Sequence, residues 1–568
     1  MHQLSFDFQN AKFEVKEMSI SVQIHTFENV YGLDAGAVTR KKRRDATVFS
    51  AERLTWAGGQ ETAKGRASLI IQEDQDEAKL IVKAEHTKKI RCAKIVIPNL
   101  PAVRVLTPWE GEQEIPADGR IFSYPTGWHL GSPILFLRID SNRYYYFRSL
   151  DDEVRAKRFA VYPSLYPNEK GVTVELIFEE LAARMGKTIK TPEWVIGSTN
   201  NPDEVMSDHI EHLEKAFGLT SWEERSDVPD WAKEIALIAY IHGQHWTGYI
   251  FNDYENVLEI LSWLADRLEP NRILAHIAGW EGRYYWKYGD YRPDPRMGGE
   301  EGFRKLMKGA KQLGCRVQLM LGANCANKGL ENFEEWGENA NLRSAGGLVY
   351  QGNKPDWDVS RSHDHGWQAW LNPGCPTWRE RLVAQMAELV DEYGIDSIFL
   401  DTDMVWTNDP NHPVFPGLLR LRDELRMNRP NLLLAGEGWY DAIAAVTPLV
   451  HPGMPKLWPE LLGKYCRCFA HNSWGDAGRG STGVFEGGYQ SFSMVPDSAY
   501  WIPTAIFVED TLDSGKEKLE KIIEQAKRYA KKYLDPRPSR TRQNENGSLR
   551  LCGRVCQASS ARVRLLRR

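Results

Sequence analysis

The chain has 568 residues, a length that allows two to four domains with large hydrophobic cores. Its net charge of −5 at pH 7 and its isoelectric point of about 6.3 exclude a strongly basic surface of the kind that binds nucleic acid or anionic membranes. No apolar run reaches the length of a membrane span, and Met1–Phe8 lacks the pattern of a signal peptide. The expected location is the cytoplasm, or outside the cell if the natural chain begins further upstream.

Residues 1–190 are predicted to form an all-β sandwich domain. Short β-branched or alternating runs recur along this region, and Gly, Pro, Asn and Asp separate them, which is typical of antiparallel sheets joined by turns. The clearest runs are residues 20–24, 67–71, 79–83, 93–97, 134–139, 144–147 and 172–177.

Residues 191–232 are predicted to be a helical linker, with its helix at 203–217, and the periodicity changes at about residue 233. From there to residue 535, near-continuous apolar strands alternate with amphipathic helices, which favours a TIM-like (β/α)8 barrel of parallel strands. The first five strands are predicted at 235–241, 272–277, 316–321, 394–401 and 431–437, and the helices between them at 254–268, 298–314, 377–393 and 416–426.

The end of the barrel has weaker signals. Strands six to eight are predicted near 466–470, 489–493 and 501–508, with a closing helix at 515–529. Residues 536–568 are rich in arginine and contain Glu545 as their single acid. A basic arm for nucleic acid is one interpretation. The favoured one is a disordered or truncated tail.

Two acids close consecutive predicted strands: Asp401 ends the fourth strand and Glu437 ends the fifth. In a parallel α/β barrel, catalytic groups lie at the carboxyl ends of strands, and neighbouring strands bring their last residues close together. A facing pair of carboxyl groups is the equipment of glycoside hydrolysis. The alternative for either acid alone is an N-cap of the following helix.

The segments Gly394–Asp401, Leu434–Trp439 and Gly279–Glu301 resemble TIM-barrel glycoside hydrolases of the family 13 α-amylase group, and more closely the family 101 endo-α-N-acetylgalactosaminidases. The resemblance spans about residues 233–475. It implies a retaining enzyme that cleaves an α-linked sugar, with Asp401 as nucleophile and Glu437 as acid/base. Phe399 stands where amylases carry an arginine, so amylase activity itself is not expected.

Two other acids are alternative catalytic residues. Asp403 is a rival nucleophile, although it would point to the opposite face if the strand continued past Asp401. Asp476 is a rival general acid, because α-galactosidase-like barrels use an Asp after strand six and residues 471–476 are predicted to follow that strand. Two functions of other classes also stay open, namely a non-catalytic carbohydrate-binding protein on an inactive barrel and a metal-dependent barrel hydrolase.

The metal alternative rests on His242 and His245 after strand one, but strand five offers Glu437 and no histidine. The eight cysteines lack the paired spacing of a zinc site. No metal and no cofactor are therefore expected.

The partner expected from the sequence is an oligosaccharide or glycoconjugate, without nucleic acid or membrane. Twenty Trp and 22 Tyr can serve large cores or flat surfaces on which sugar rings stack. Aromatic, His and Asp side chains in the loops after barrel strands suit sugar binding, since that face carries the active site. The predicted substrate-binding residues are Trp280, Asp290, His363, His365, Trp367, Trp439 and His471.

Overall fold

In the part of the N-terminal region that the structure describes, two antiparallel sheets contain ten strands each. The computed structural model describes residues 5–7, 11–102, 104–126, 130–164, 171–245, 248–282, 286–350, 368–438, 440–451, 454–469, 495–509 and 511–535. Residues 1–534 form one unit. No helix among the described residues is long and apolar enough to cross a membrane. The predicted tail, 536–568, lies outside them.

In the first sheet, the spatial order of the strands differs from their order along the chain. That order is Arg120–Tyr124, Lys157–Pro163, Val172–Glu179, Ile90–Leu100, Met18–Thr26, Val30–Leu33, Leu54–Trp56 and Glu61–Ala63, with Lys12–Val15 paired to Met18–Thr26 and Ser5–Asp7 paired to Lys12–Val15.

The second sheet includes a strand that the sequence interpretation assigned to the linker. Its order is Gly111–Glu114, Arg104–Thr107, Ile134–Arg138, Tyr144–Leu150, Glu193–Thr199, Glu77–His86, Gly65–Glu73, Thr47–Ala51 and Val38–Lys42, with Thr188–Lys190 paired to Glu77–His86. Glu193–Thr199 pairs on both sides, so the sheet extends past residue 190.

Alternating side chains fill the space between the two sheets. Along Met18–Thr26 every second residue is buried, as expected for a strand with one face toward a core. Edge-to-face ring pairs cross the gap: Phe13 and Phe49 have centroids 4.9 Å apart, and Phe159 and Trp194 5.6 Å apart. The predicted all-β sandwich is confirmed.

The following region is a ring of parallel strands. Strands one to seven are Leu237–His242, Ile273–Ala278, Arg316–Gly322, Ser397–Asp401, Leu433–Glu437, Leu449–His451 and Arg467–Phe469. The eighth has two segments around Pro503: Trp501–Ile502 pairs with strand seven and Thr504–Phe507 with strand one, so the ring closes. The predicted TIM-like barrel is confirmed.

Among the helices of the described residues, the six longer ones match predicted helices within three residues at each end, whereas the four helices of four residues were not predicted. The helices are Pro202–Phe217, Asp230–Lys233, Tyr254–Ala265, Gly299–Leu313, Phe333–Trp336, Pro376–Tyr393, Val414–Arg426, Glu460–Gly463, Thr511–Ser514 and Lys516–Tyr529. Local chemistry sets their ends: Asp253 and Asn256 form a capping box, and Gly394 ends a helix in the left-handed conformation.

The prediction for barrel strands six and seven was wrong. Strand six is the three-residue segment Leu449–His451, and Arg467–Phe469, which was assigned to strand six, is strand seven. A three-residue strand is too short to show a period, which explains the error. Residues 471–476 therefore follow strand seven, so the argument that placed Asp476 after strand six does not hold.

A buried carboxyl joins the sandwich to the loop after strand five. Asp441 accepts hydrogen bonds from Tyr124 Oη at 2.8 Å and from Ser132 Oγ at 2.5 Å, and its own amide donates to Gly131 O. Burial, only partly offset by these hydrogen bonds, raises the pKa of Asp441 to about 6. In the loop after strand four, Asn408 makes a similar link by donating to Glu179 Oε1 at 2.8 Å. The sandwich thus holds the loops after strands four and five.

Asp441→Ala is expected to lower the free energy of unfolding by about 2 kcal/mol, because the buried Tyr124 hydroxyl would lose its acceptor. The measurement is the urea midpoint, followed by tryptophan fluorescence. Asp118→Ala, at an exposed loop position, is the control and should match the wild type. Equal midpoints for all three proteins would contradict this role of Asp441.

Candidate active site

Asp401 and Glu437 occupy adjacent positions at the carboxyl ends of strands four and five. The parallel register pairs Leu400 with Gly436, so the next residue of each strand is one of the two acids. Asp401 is buried and Glu437 is half-buried. The register also places Gly322 of strand three beside Asp401 and His451 of strand six beside Glu437.

Two hydrogen bonds cross between these strand ends in opposite directions. The Thr402 amide donates to Glu437 Oε2 at 2.8 Å, and the Glu437 amide donates to Asp403 Oδ1 at 2.9 Å. The backbone after strand four therefore fixes the Glu437 carboxyl, and a side chain after strand four fixes the Glu437 backbone. The relative position of the two strand ends is determined by both bonds together.

Thr402 adopts a strained backbone conformation between the two aspartates. Its φ of +65° lies in the left-handed region, where a β-branched residue is a genuine outlier and costs on the order of 1–3 kcal/mol. The turn after strand three maintains this conformation, because Thr402 Oγ1 accepts from the Asn324 amide at 3.2 Å and donates to Cys325 Sγ at 3.3 Å. In this backbone conformation the Thr402 amide is directed toward Glu437.

Asp403, which accepts the Glu437 amide, is a buried acid. It is 1% exposed, and burial, reinforced by the negative charge of Asp401, raises its pKa well above the usual range. Within the described residues no group hydrogen-bonds to its Oδ2. That oxygen packs against Gly436, where an added Cβ would come within 2.2 Å of it.

Tyr288, from the loop after strand two, is a site residue that the sequence interpretation missed. Its hydroxyl donates to Asp401 Oδ2 at 2.7 Å. Gly322 makes room for its ring, since a Cβ there would meet Tyr288 Cδ2 at 2.2 Å. The only signal in the sequence was the aromatic composition of this loop, which does not single out one tyrosine.

Glu281, in the same loop, is a further carboxyl that the sequence interpretation missed. It is 2% exposed, and loss of hydration on burial, with a smaller contribution from Asp401, raises its pKa to about 8. It is therefore neutral at pH 7. An acid between a tryptophan and a glycine has no pattern that distinguishes it from a solvated loop residue.

Below the acids the barrel interior is filled by rings. His276, Phe399, His451 and Phe469 are neighbours, with Phe399 and His451 stacked at 5.4 Å between centroids. His242, one of the two histidines of the metal alternative, packs against Tyr240 at 4.9 Å. In the part of the chain that the structure describes, no group of three His, Cys, Asp or Glu residues is placed to hold a metal ion.

Trp280 contradicts its predicted role as a stacking surface. Its side chain is fully buried, its indole N–H donates to Met320 O at 3.1 Å, and its ring stacks on Phe303 at 5.3 Å. A sugar cannot stack on a ring that is enclosed in this way. The prediction failed because a tryptophan just past a strand can also turn back under the adjacent helix.

The other predicted substrate-binding residues are not brought to the carboxyl pair by any described contact. Asp290 forms an ion pair with Arg292 at 3.0 Å and is partly exposed. The remaining candidates lie outside the described residues: His363, His365, Trp367, Trp439, His471 and the rival acid Asp476.

No protein-family model matches this sequence, and neither does any curated protein. Among solved structures, the ligand-free alpha-N-acetylgalactosaminidase NagBb from Bifidobacterium bifidum is similar over 93% of this chain and 91% of its own, with a TM-score of 0.62 and 12% identity. The GH36 alpha-galactosidase AgaA from Geobacillus stearothermophilus, in complex with raffinose, is similar over 93% of this chain and 77% of its own, with a TM-score of 0.51 and 12% identity. At such identities the likeness establishes a shared fold.

Proposed function

We propose that this protein is a retaining glycoside hydrolase that acts on an α-linked sugar of the galactose type. The observation that carries the proposal is the pairing of Asp401 and Glu437 at the ends of adjacent strands, joined through Thr402 and Asp403. Two carboxyl groups on neighbouring strand ends suit the separation of about 5–5.5 Å used for retention better than the 6.5–9.5 Å used for inversion.

Asp401 has the role of nucleophile. A carboxylate oxygen of Asp401 attacks the anomeric carbon while Oδ2 accepts the Tyr288 hydroxyl. A bond forms between the attacking oxygen and that carbon while the bond to the leaving oxygen breaks, giving a glycosyl-enzyme ester. The Tyr288 hydrogen bond holds the carboxylate in one rotamer during the attack, which reduces the entropy cost of the step.

Glu437 has the role of acid and then base. Its Oε2 accepts the Thr402 amide, which suits a carbonyl-type oxygen, so the transferable proton belongs on Oε1. That proton moves to the leaving oxygen in the first step. In the second step the Glu437 carboxylate removes a proton from water, and the resulting hydroxyl group displaces Asp401 from the anomeric carbon.

Two independent comparisons support the choice of sugar. The sequence segments around Asp401 and Glu437 resemble family 101 endo-α-N-acetylgalactosaminidases, and the similar solved structures are named alpha-N-acetylgalactosaminidase and alpha-galactosidase. A screen of 4-nitrophenyl α- and β-glycosides of galactose, N-acetylgalactosamine and glucose tests the choice. Turnover of an α-galacto substrate with an α-configured first product in NMR supports the proposal, and turnover of β-glycosides alone or an inverted product would contradict it.

Asp401→Asn is expected to abolish turnover of every glycoside, because an amide cannot form the ester. Glu437→Gln should retain activity toward 2,4-dinitrophenyl glycosides, whose leaving group needs no proton, and should lose it toward alkyl glycosides. With Glu437→Gln, added azide should give a glycosyl azide of retained configuration. An unchanged dependence on the leaving group in Glu437→Gln would remove Glu437 from the acid role.

The two aspartates are distinguished by paired substitutions at residue 403. Asparagine at residue 403 keeps the shape of the side chain and the acceptor at Oδ1, so Asp403→Asn should keep most of the activity. Asp403→Ala removes the acceptor of the Glu437 amide and should lower kcat/KM by about tenfold or more, as expected for the loss of a hydrogen bond worth about 1.5 kcal/mol. An inactive Asp403→Asn with an active Asp401→Asn would make Asp403 the nucleophile.

A further inference from the structure

A small antiparallel ribbon lies between barrel strands three and four, and the mechanism above does not use it. Cys325–Asn327 pairs with Gln368–Trp370. Two further segments continue the ribbon, since the Leu342 amide donates to Trp370 O at 2.8 Å and the Tyr350 amide donates to Leu342 O at 2.7 Å. Four segments therefore lie side by side.

Four side chains form one row across the same face of this ribbon. Cys325 is paired with Trp370. Isolated bridges on either side of Leu342 place that residue opposite Trp370 in one segment and opposite Tyr350 in the other. Residues directly opposite each other in antiparallel strands point to the same face. The row therefore consists of Cys325, Trp370, Leu342 and Tyr350.

One end of this row contacts the catalytic site. Thr402 Oγ1 donates to Cys325 Sγ at 3.3 Å, and the Thr402 amide donates to the carboxyl of Glu437 at 2.8 Å. Because Glu437 is the acid that protonates the leaving oxygen, the row begins on the leaving-group side of the site. Three strand spacings extend the row about 14 Å from there, to Tyr350.

The row becomes more exposed with distance from the site. Cys325 and Leu342 are buried and Trp370 is half-buried, whereas Tyr350 is 40% exposed. The rings of Trp370 and Tyr350 pack against each other with centroids 6.0 Å apart. Leu348 lies two residues before Tyr350, on the same side of that segment, and is 76% exposed. Leu348, Tyr350 and Trp370 are called the apolar strip below.

The exposed end of the apolar strip is a contiguous apolar group. Nine large apolar side chains are exposed among the described residues, and Leu348, Val349 and Tyr350 are the only three that are consecutive. Contiguous exposed apolar surface marks binding sites in soluble proteins, whereas single exposed residues need no explanation. The strip carries no charge, and its indole N–H and phenol hydroxyl are too few to pair with the several hydroxyl groups of a sugar ring.

We infer that the apolar strip binds an apolar aglycone, so that the substrate is an amphiphilic glycoside whose leaving group carries an alkyl chain. The inference rests on the proposed function and names its substrate class. Each methylene group that leaves water on the strip makes binding more favourable. The strip lies away from the reacting bond, so this gain is the same in the bound substrate and in the transition state, and it lowers KM without changing kcat.

The test measures hydrolysis of the methyl, butyl and octyl α-glycosides of galactose or N-acetylgalactosamine, whichever is turned over, at concentrations below micelle formation. For the wild type, kcat/KM should rise by about tenfold or more from methyl to octyl, through KM. Leu348→Asn and Tyr350→Asn should each reduce this rise to about threefold or less and should hydrolyse the methyl glycoside within about twofold of the wild type.

Met427→Asn is the matched control, because it removes an apolar side chain that is also 76% exposed. This variant should keep the full rise with chain length. No rise in the wild type, or the same rise in the wild type and both strip variants, would overturn the inference. A higher kcat/KM for an α-linked disaccharide than for the octyl glycoside would also overturn it, since the leaving group would then be a second sugar.

A binding measurement separates this inference from the proposed function. Octyl α-galactoside is added to Asp401→Asn, which retains the strip, and saturation-transfer NMR follows the alkyl protons with and without Tyr350→Asn. If the wild type hydrolyses no glycoside but Tyr350→Asn removes a transfer to the alkyl protons, the proposed function fails and the apolar strip stands. Absence of transfer, or a transfer that Tyr350→Asn leaves unchanged, would overturn the strip whatever the wild type hydrolyses.

Discussion

The site depends on the two hydrogen bonds that cross between the ends of strands four and five. Each bond joins one strand's backbone to the other strand's carboxyl, so neither Glu437 nor Asp403 can shift without the other. The hydrogen bond from the Thr402 amide to Glu437 requires the left-handed backbone conformation of Thr402. Hydrogen bonding between Thr402 Oγ1 and the turn after strand three offsets the strain of this conformation. The sandwich holds the loops that follow these strands through Asn408 and Asp441, which gives it a structural role in the site.

Four carboxyl groups at one face of the barrel differ in burial and in hydrogen-bond partners. Burial raises the pKa of Asp403 and of Glu281, whereas Asp401 accepts a phenolic hydrogen bond and Glu437 accepts a backbone amide. A group of acids that were all ionised would repel one another at short range. The raised pKa values of Asp403 and Glu281 lessen this repulsion against an ionised Asp401.

The sequence predicted most of the barrel because strands one to five are apolar runs and their helices have clear periods and caps. It also predicted that Asp401 and Glu437 end adjacent strands, since an acid at the end of an apolar run can be recognised in the sequence. It failed where three residues make a strand, as at Leu449–His451, and where burial depends on tertiary packing, as at Trp280. The role of Tyr288 could not be predicted because its contact with Asp401 joins residues 113 apart and depends on the path of an irregular loop.

The most direct test of the account is to identify the residue that carries the sugar during turnover. The enzyme would be incubated with a 5-fluoro-α-galactosyl fluoride, which slows the second step, and digested for mass spectrometry with fragmentation of the labelled peptide. One galactosyl ester is expected, located on Asp401 and absent from Asp401→Asn. A label on Asp403 or on Glu437 would contradict it.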